Sequence, residues 1–233
     1  MLEARGLYKS FGEIPAVRGV SFAARDGQIT GLLGANGAGK STTLRMLYTV
    51  LRPDQGDAFI DGASVTAQPL AARRAIGVLS HGAGVYNHLT ARENIAYFGE
   101  LHGLSRADRD ARATELIELL EMQSFADRLA KGFSQGQKLK TALARALVHK
   151  PRNLLLDEPT NGLDVMAVRG LRQLLAQLRD AGHCVLFSSH VMQEVEHLCD
   201  EVVVIARGQV VAAGTLDDIR AHGGDRLEDA FVA

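Results

Sequence analysis

Short apolar segments alternate with longer amphipathic segments along this chain. Nearly continuous apolar runs at 29–33, 76–79, 153–156 and 184–188 are typical of strands that are buried on both faces. Residues 165–181 carry apolar side chains at helical spacing and predict an amphipathic helix. Strands that alternate with helices favour a parallel sheet with helices on both faces. The predicted fold class is therefore α/β.

The N-terminal region has a different pattern, which predicts antiparallel strands. Residues 16–24 and 28–33 both have the character of strands, and an Arg-Asp-Gly turn lies between them. Asp-Gly is a strong hairpin signal, so we expect these two strands to pair with each other. Residues 58–60, followed by Asp61 and Gly62, predict a further short strand and turn.

Residues 89–147 have mainly helical patterning. Within them, Ser105 is a suitable helix N-cap, and we expect Leu116, Leu119 and Leu120 to share the buried face of the helix that follows. Strand patterns return afterwards, so the helical stretch is predicted to be an insertion between two halves of the sheet.

We predict a single domain in which an inserted helical lobe interrupts a core lobe. The core lobe takes in about 1–82 and 148–220, the helical lobe about 83–147, and a short tail 221–233. A chain of 233 residues is long enough to bury a sizeable core in this arrangement.

A glycine-rich segment, GLLGANGAGKST, spans residues 31–42. Its spacing fits G-x-x-x-x-G-K-[ST], the phosphate-binding loop, between a predicted strand and a predicted helix at 41–51. The backbone N–H groups of such a loop converge on an anion, and the following helix dipole favours negative charge at the same place. Lys40 is expected to reach the β- and γ-phosphates of a nucleotide, and Ser41 to offer its hydroxyl to Mg²⁺. The predicted nucleotide-binding residues of this loop are Gly34, Asn36, Gly37, Gly39, Lys40, Ser41 and Thr42.

A second candidate element is NLLLDEPT at 153–160, where a buried apolar strand ends in two acidic residues. Ligands of open α/β sheets bind at the carboxyl edge of the strands, which is where these carboxylates are expected. We predict that Asp157 holds Mg²⁺, through water, and that Glu158 is the general base for the attacking water. The alternative is a charge pair at a helix N-terminus, and the phosphate loop upstream argues against it.

The composition indicates which classes of partner this protein is expected to have. Lysine and arginine number 26 against 27 acidic residues, so the charge gives no support to nucleic-acid binding. Cys184 and Cys199 show neither a disulfide framework nor metal-ligand spacing and are expected to be reduced core thiols of a cytosolic protein. No stretch approaches the roughly 18 apolar residues of a membrane span, and the N-terminus lacks the apolar run of a signal peptide. A role at a membrane is therefore expected to depend on a partner.

Further motifs resemble those of the ATP-binding cassette (ABC) ATPases. FSQGQ at 133–137 resembles the signature peptide of that family, most often LSGGQ, and Ser134 is a suitable N-cap for the helix that follows. NGLD at 161–164 is similar to the family's D-loop, and FSSH at 187–190 to the segment that carries its switch histidine. KSFG places Phe11 at the aromatic position that stacks on adenine in the family. These motifs and the phosphate loop occur in the family's order and cover nearly the whole chain.

The resemblance implies a P-loop NTPase core that binds ATP and Mg²⁺ and works as a dimer. Two cassettes of the family pack head to tail with two ATP molecules between them, as a homodimer or as a heterodimer with a second cassette. Ser134 and Gly136 of one subunit are then expected to face the γ-phosphate held by Lys40 of the other, because a helix N-terminus favours an anion. Asp164 is expected to link the two sites across the dimer.

The resemblance also implies a catalytic set of Glu158, His190 and Lys40, in which His190 contacts the γ-phosphate and holds Glu158 and the water in line. Two positions depart from the family pattern. Gln135 replaces a glycine of the signature. His81 stands where the family usually has a glutamine that reaches Mg²⁺, and we predict it as a third metal-site residue beside Ser41 and Asp157. The alternative is that His81 is a loop residue that points elsewhere.

The resemblance favours the ATP-hydrolysing subunit of a membrane exporter that works with a separate permease. The segment GVYNHLTARENIAYFGELHGL is similar to exporter subunits of the sodium-efflux, multidrug and lipid or polysaccharide branches. Residues 76–95 and the segment SHVMQEVEHLCDEVVVIARGQVVAAGT resemble the sodium-efflux branch most, which implies sodium or drug efflux. The expected location is cytoplasmic, on the inner face of the membrane through the permease. A soluble ABC ATPase coupled to a non-transport process is the alternative. Val85, Tyr86 and Leu89 are candidate contacts for the permease, or else buried anchors of their loop.

Overall fold

Two β-sheets organise the part of the chain that the computed structural model describes, residues 1–82 and 84–219. The strands are β1 (Leu2–Phe11), β2 (Ile14–Ala24), β3 (Gln28–Leu33), β4 (Gln55–Ile60), β5 (Ala63–Ser64), β6 (Ile76–Leu79), β7 (Asn153–Asp157), β8 (Cys184–Ser189), β9 (Glu201–Ala206) and β10 (Gln209–Gly214). The helices are α1 (Lys40–Leu47), α2 (Pro69–Arg74), α3 (Ala91–Leu101), α4 (Arg106–Leu119), α5 (Gln135–Leu147), α6 (Val165–Asp180) and α7 (Met192–Glu196). The predicted α/β class is confirmed.

The larger sheet has six strands in the order β10-β9-β3-β8-β7-β6. All neighbours are parallel except β9 and β10, which form an antiparallel hairpin. Parallel neighbours need crossover connections, and helices provide them here. Because the strands are parallel, the carboxyl ends of β3, β6, β7 and β8 meet at one edge of the sheet. The segments that follow these strands contain the predicted phosphate loop, His81, the Asp157–Glu158 pair and His190.

The smaller sheet is the predicted N-terminal antiparallel part, in the order β2-β1-β4-β5. The predicted hairpin of 16–24 with 28–33 is wrong, because β2 and β3 belong to different sheets. β2 pairs with β1, while both edges of β3 are occupied by β8 and β9. The Asp-Gly turn instead carries the chain from one sheet to the other, and Gly27 adopts the left-handed conformation there, with φ 68°.

Two hydrophobic clusters lie on opposite faces of the larger sheet. One packs the smaller sheet and α1 against it, and the other packs the helices of the second half of the chain. Along β7, Leu154 and Leu156 belong to one cluster and Leu155 to the other. Successive side chains of a strand point to opposite faces, so this alternation shows that β7 is buried on both sides.

The helices follow the predicted pattern with two corrections. Ser105 caps α4 as expected, since its hydroxyl oxygen accepts the N–H of Asp108 at 3.2 Å. Leu116 and Leu120 are buried, but Leu119 is 45% exposed, because it lies about 60° around the helix from Leu116 and about 100° from Leu120, at the edge of the buried stripe. The helix after the phosphate loop ends at Leu47, earlier than predicted.

Helices α3, α4 and α5 contact one another, and α5 also contacts β6. The division into a core lobe and a helical lobe stays a prediction, and the predicted tail, 221–233, lies outside the described residues. In the described part of the chain, no helix has the length and apolar character that crossing a bilayer requires.

Two imidazoles stack between α3 and the end of α5. The rings of His102 and His149 are parallel within 3°, with centroids 3.6 Å apart. Nε2 of His149 donates to the carbonyl oxygen of Ile76 at 2.9 Å, which fixes the tautomer. Burial lowers the pKa of His149 to about 4, and repulsion from His102 and Arg112 adds to that effect.

We expect this buried imidazole to make the fold acid-sensitive. The folded protein keeps His149 neutral, whereas the unfolded chain protonates it near the ordinary value of 6.5, so protons favour the unfolded state. Its contribution to the free energy of unfolding is fully present above about pH 6.5 and decreases as the pH falls towards 4. The stability lost by pH 5 is about 2 kcal/mol. Urea unfolding at pH 8 and pH 5 should show a smaller acid loss for His149→Gln than for the unsubstituted protein. Equal losses in the two proteins would contradict this account.

Candidate nucleotide-binding site

The phosphate loop connects β3 to α1, and close backbone approach demands its glycines. A Cβ on Gly34 would lie 2.2 Å from the carbonyl oxygen of Ile205, and one on Gly39 would lie 2.6 Å from that of Ala16. Gly39 also has φ 108°, a conformation that other residues rarely adopt. Asn36 and Gly37 are exposed at the tip of the loop, and Thr42 is half-buried in the first turn of α1.

Lys40 is turned inward, with only 4% of its surface exposed. Its ammonium donates to the carbonyl oxygens of Gly34 at 2.7 Å and Ala35 at 3.1 Å, and Nζ lies 3.7 Å from Oε1 of Glu158. Burial lowers the pKa of Lys40, and the nearby carboxylates of Glu158 and Asp157 oppose that shift. The loop therefore surrounds a buried cation with backbone oxygens.

Asp157 ends β7 and connects two other elements. Its Oδ1 accepts the hydroxyl of Ser41 at 3.0 Å and that of Ser188 at 2.7 Å. Its Oδ2 is buried and has no hydrogen-bond partner among the described residues. A buried carboxylate oxygen without a partner is unfavourable unless a cation compensates it. Carboxylate and hydroxyl oxygens are ligands of the kind that Mg²⁺ prefers, so the residues present fit that ion.

The three predicted catalytic residues converge on one oxygen atom. Oε1 of Glu158 lies 3.3 Å from Nδ1 of His190 and 3.7 Å from Nζ of Lys40. Glu158 itself has φ 50°, which is uncommon for a residue other than glycine and marks local strain. Its backbone N–H donates to the Ser188 hydroxyl at 3.0 Å. A carboxylate thus lies between a buried ammonium and an imidazole.

His81 lines a cleft of about 390 Å³ beside these groups. The cleft is bounded by the loop after β6, the start of α5 and the segment after β7, with Gln135, Asp157 and Glu158 among its lining residues. His81 is exposed, and no hydrogen bond or ion pair joins it to any residue that the structure describes. The cleft brings His81 near the acidic pair, and its role as a metal ligand stays a prediction.

The remaining predicted residues lie on other segments. Phe11 is 47% exposed at the end of β1. Ser134 is the N-cap of α5, where it and Gln137 form a capping box, and Gly136 follows in the first turn. Asp164 caps α6 by accepting the N–H of the residue at position 167 at 2.8 Å. Within the described residues, no hydrogen bond or ion pair connects these side chains to the phosphate loop.

Four polar residues of the site were not predicted from the sequence. Ser188 joins Asp157 to the backbone of Glu158, as described above. Oε2 of Glu194 accepts the hydroxyls of Thr160 and Ser189, each at 2.7 Å. The two serines directly before His190 could have indicated the contact of Ser188. Nothing in the local sequence distinguishes Glu194 from other helical glutamates.

The loop after β6 carries an aromatic group that is both anchored and accessible. Tyr86 is 49% exposed, and its ring meets that of Tyr97 edge to face at 5.5 Å. The guanidinium of Arg145 lies 3.8 Å from the ring centroid of Phe98 and donates to the Gly84 carbonyl at 2.7 Å. Tyr86 is therefore an anchor of its loop that is still accessible, and its contact with a permease stays a prediction.

The sequence is similar to that of ATP-binding proteins of ABC transporters. A family model described as "ABC transporter" matches residues 17–161. The chain is 42% identical over 217 residues to the ABC transporter ATP-binding protein NatA of Bacillus subtilis, covering 93% of this chain and 87% of that protein. It is 39% identical over 234 residues to the daunorubicin/doxorubicin resistance ATP-binding protein DrrA of Streptomyces peucetius, covering 98% and 71% respectively.

Solved structures have the same architecture. An ATP-binding subunit of an ABC transporter superimposes with a TM-score of 0.88 at 30% identity, covering 100% of this chain and 98% of that one. A dimeric ATP-binding cassette in a post-hydrolysis state, bound to ADP and Pi, superimposes with a TM-score of 0.83 at 26% identity, covering 93% and 99%.

We expect Gly34→Ala to destabilise the protein by about 2–3 kcal/mol, because the new Cβ would collide with backbone that β9 holds in place. Gly170→Ala is the matched control, since a Cβ there meets nothing within 4 Å and alanine favours the helix by roughly 0.5–1 kcal/mol. Urea unfolding of the three proteins measures both effects. An unchanged midpoint for Gly34→Ala would contradict the close approach to Ile205.

Proposed function

The chain belongs to the ABC transporter family and is an ATPase of that family, and we propose that it drives a membrane exporter through a separate permease. The observation that carries the catalytic part is the convergence of Lys40 and His190 on one oxygen of Glu158. The unpartnered buried oxygen of Asp157 beside them supports a metal-bound nucleotide at the same place.

Lys40 and the loop around it are suited to bind the phosphates of ATP. The ammonium is held by two carbonyl oxygens of its own loop, and phosphate oxygens are stronger acceptors that can replace them. The tip of the loop, with Asn36 and Gly37, is open to a ligand, and the start of α1 adds the positive end of a helix dipole. Phe11 offers an exposed ring for the adenine.

Ser41 and Asp157 are the residues proposed to hold Mg²⁺, with His81 as the open third position. The ion would neutralise charge on the β- and γ-phosphates. Ser188 keeps the Asp157 carboxylate oriented, because its hydroxyl occupies the oxygen opposite the unpartnered one. The donor set thus presents one free carboxylate oxygen and one hydroxyl to the cation.

Glu158 is proposed as the general base for the attacking water, and His190 as the residue that orients it. The carboxylate can accept a proton from water while Lys40 stabilises the negative charge that develops on the phosphate. His190 lies within reach of the same carboxylate oxygen, 3.3 Å away, and can hold its direction. The backbone of Glu158 is left-handed, and its carboxylate lies 3.7 Å from Nζ of Lys40 in the phosphate loop.

We propose that Ser134, Gly136 and Asp164 act across a dimer, as homodimer or heterodimer. None of them is bonded to the phosphate loop of its own chain, yet Ser134 and Gly136 form the N-terminal turn of α5, where an anion is favoured. The Ser134 oxygen accepts the Gln137 N–H, so its own proton is available to a phosphate oxygen.

We also propose a permease contact, a location and a transported substrate for this protein. The accessible aromatic face of Tyr86 and Tyr97 supports a contact with a membrane partner. The chain would then lie in the cytoplasm on the inner face of the membrane. The name of the DrrA relative supports drug efflux, and the likeness of the 76–95 segment to sodium-efflux subunits supports sodium export.

Glu158→Gln should abolish most hydrolysis while ATP binding persists, because the amide cannot accept the proton of the water. The expected loss in kcat is about 10²–10⁴-fold. Phosphate release measures the rate, and size-exclusion chromatography with and without Mg·ATP measures dimerisation. A variant that stays monomeric in saturating ATP contradicts the dimer, and one with undiminished turnover removes Glu158 from the role of base.

Ser134→Arg should block hydrolysis without weakening ATP binding by the isolated subunit, since its cation would occupy the place that the partner's γ-phosphate approaches. Ser105→Arg is the matched control, because each change removes a helix N-cap at a similar loss of about 1 kcal/mol. ATP affinity in dilute protein and turnover in concentrated protein separate the effects. Loss of ATP affinity in the dilute Ser134→Arg subunit would mean that the signature acts within its own chain.

A further inference from the structure

Strands β7 and β8 stop pairing just before the residues that carry the chemistry. Their register ends with Asp157 opposite Ser188. One further hydrogen bond, from the Glu158 N–H to the Ser188 hydroxyl, connects the two segments at the end of the strands. After these strands the polypeptide continues as two loops. The loop after β7 contains Glu158 and Thr160, and the loop after β8 contains His190. The relative position of these loops needs another source of restraint.

The carboxylate of Glu194 is placed to supply that restraint. Its Oε2 accepts a hydrogen bond from Thr160, in the loop after β7, and from Ser189, the last residue of β8, both at 2.7 Å. Hydrogen bonds to a charged acceptor are roughly twice as strong as those between neutral groups. A single oxygen atom therefore joins the loop after β7 to the end of β8, from which the loop of His190 leaves.

Both partners of Glu194 are tied closely to the proposed catalytic residues. Thr160 lies in the turn that the Asn161 N–H closes on the carbonyl oxygen of Glu158, at 3.2 Å. Ser189 directly precedes His190, and its oxygen accepts the N–H of Val191 at 3.0 Å. A displacement of either hydroxyl is thus transmitted to the neighbouring catalytic side chain.

Glu194 itself stands on an anchored helix. The next residue of α7, Val195, is fully buried in the core. Its side chain packs against β3 at Gly31, where an added Cβ would come within 3.2 Å of Val195 Cγ1. The helix that carries the carboxylate is therefore anchored to the sheet through Val195.

We propose that Glu194 is a positioning residue that holds the loop of Glu158 against the loop of His190. The effect of Glu194 on catalysis rests on the proposed function, whereas its connection of the two segments rests on the contacts alone. Glu194 is not a base in this scheme, because its bonded oxygen is occupied by two hydroxyls. It acts by keeping Oε1 of Glu158 within reach of His190, and a misplacement of about 1 Å can lower a rate by about 10²-fold.

The test compares Glu194→Ala with Glu194→Gln, which keeps an acceptor oxygen, and with Gln193→Ala, an exposed neighbour on the same helix. ATP turnover at varied ATP should show kcat lowered about 10-fold or more by Glu194→Ala, with KM within about 2-fold of the unsubstituted protein. Glu194→Gln should recover most of the rate, and Gln193→Ala should leave it unchanged. A Glu194→Ala protein with full kcat, or a Gln variant as slow as the Ala variant, overturns the proposal.

A double-mutant cycle with Thr160→Val checks that the bond itself matters. Thr160→Val should lower kcat alone and add little to Glu194→Ala, because both remove the same contact. Fully additive losses would mean that the two residues act independently, against the proposal.

Amide hydrogen exchange separates failure of this proposal from failure of the proposed function. Glu194→Ala should speed exchange in segments 158–163 and 189–192 together, and Gln193→Ala should not. This readout needs no ATP. If the unsubstituted protein failed to hydrolyse ATP, the exchange data would still decide whether Glu194 joins the loops. Faster exchange that is confined to α7 in Glu194→Ala would refute this connection.

Discussion

The carboxylate of Asp157 is the contact on which the geometry of the site depends. One of its oxygens accepts hydroxyls from Ser41, in the first turn of α1, and from Ser188, on β8. Ser188 also receives the backbone N–H of Glu158, so the direction in which the chain leaves β7 is tied to the neighbouring strand. The phosphate loop, the acidic strand and the strand that leads to His190 are thereby held at defined distances from one another.

The strand that bears this carboxylate is held from both faces. Side chains of β7 alternate between the two hydrophobic clusters, so the smaller sheet and α1 support one face and the helices of the second half support the other. Dense packing resists small displacements. The polar edge can therefore contain unfavourable local features, such as the left-handed Glu158 and the unpartnered Asp157 oxygen, because the packed strands behind it resist displacement.

Three unfavourable features lie where we propose that nucleotide and metal bind. A buried ammonium hydrogen-bonded to backbone oxygens, a carboxylate oxygen without a hydrogen-bond partner and a strained glutamate lie within one region. A phosphate would give the ammonium further acceptors, and a cation would compensate the carboxylate oxygen, whereas the backbone strain at Glu158 is a cost that the fold itself has to offset. The restraint by Glu194 belongs to the same arrangement, since strained loops need a fixed support.

The sequence by itself determined the features that depend on neighbouring residues. The strand at 76–79, the cap at Ser105 and the start of the helix after Ser134 follow from local apolar spacing and local hydrogen bonding, and the structure has them where they were predicted. The phosphate loop and the two acids at the end of β7 belong to the same class, because the motif itself specifies strand, loop and helix.

Only the tertiary structure decided which distant segments meet. The Asp-Gly turn after β2 was predicted correctly as a turn, but not as a passage between sheets, because both edges of β3 are taken by strands from the far end of the chain. The need for glycine at position 34 comes from the carbonyl of Ile205, and the role of Glu194 from hydroxyls on two other segments. Such contacts join residues that are remote in sequence, so no local pattern contains them, and packing of the whole sheet is what brings them together.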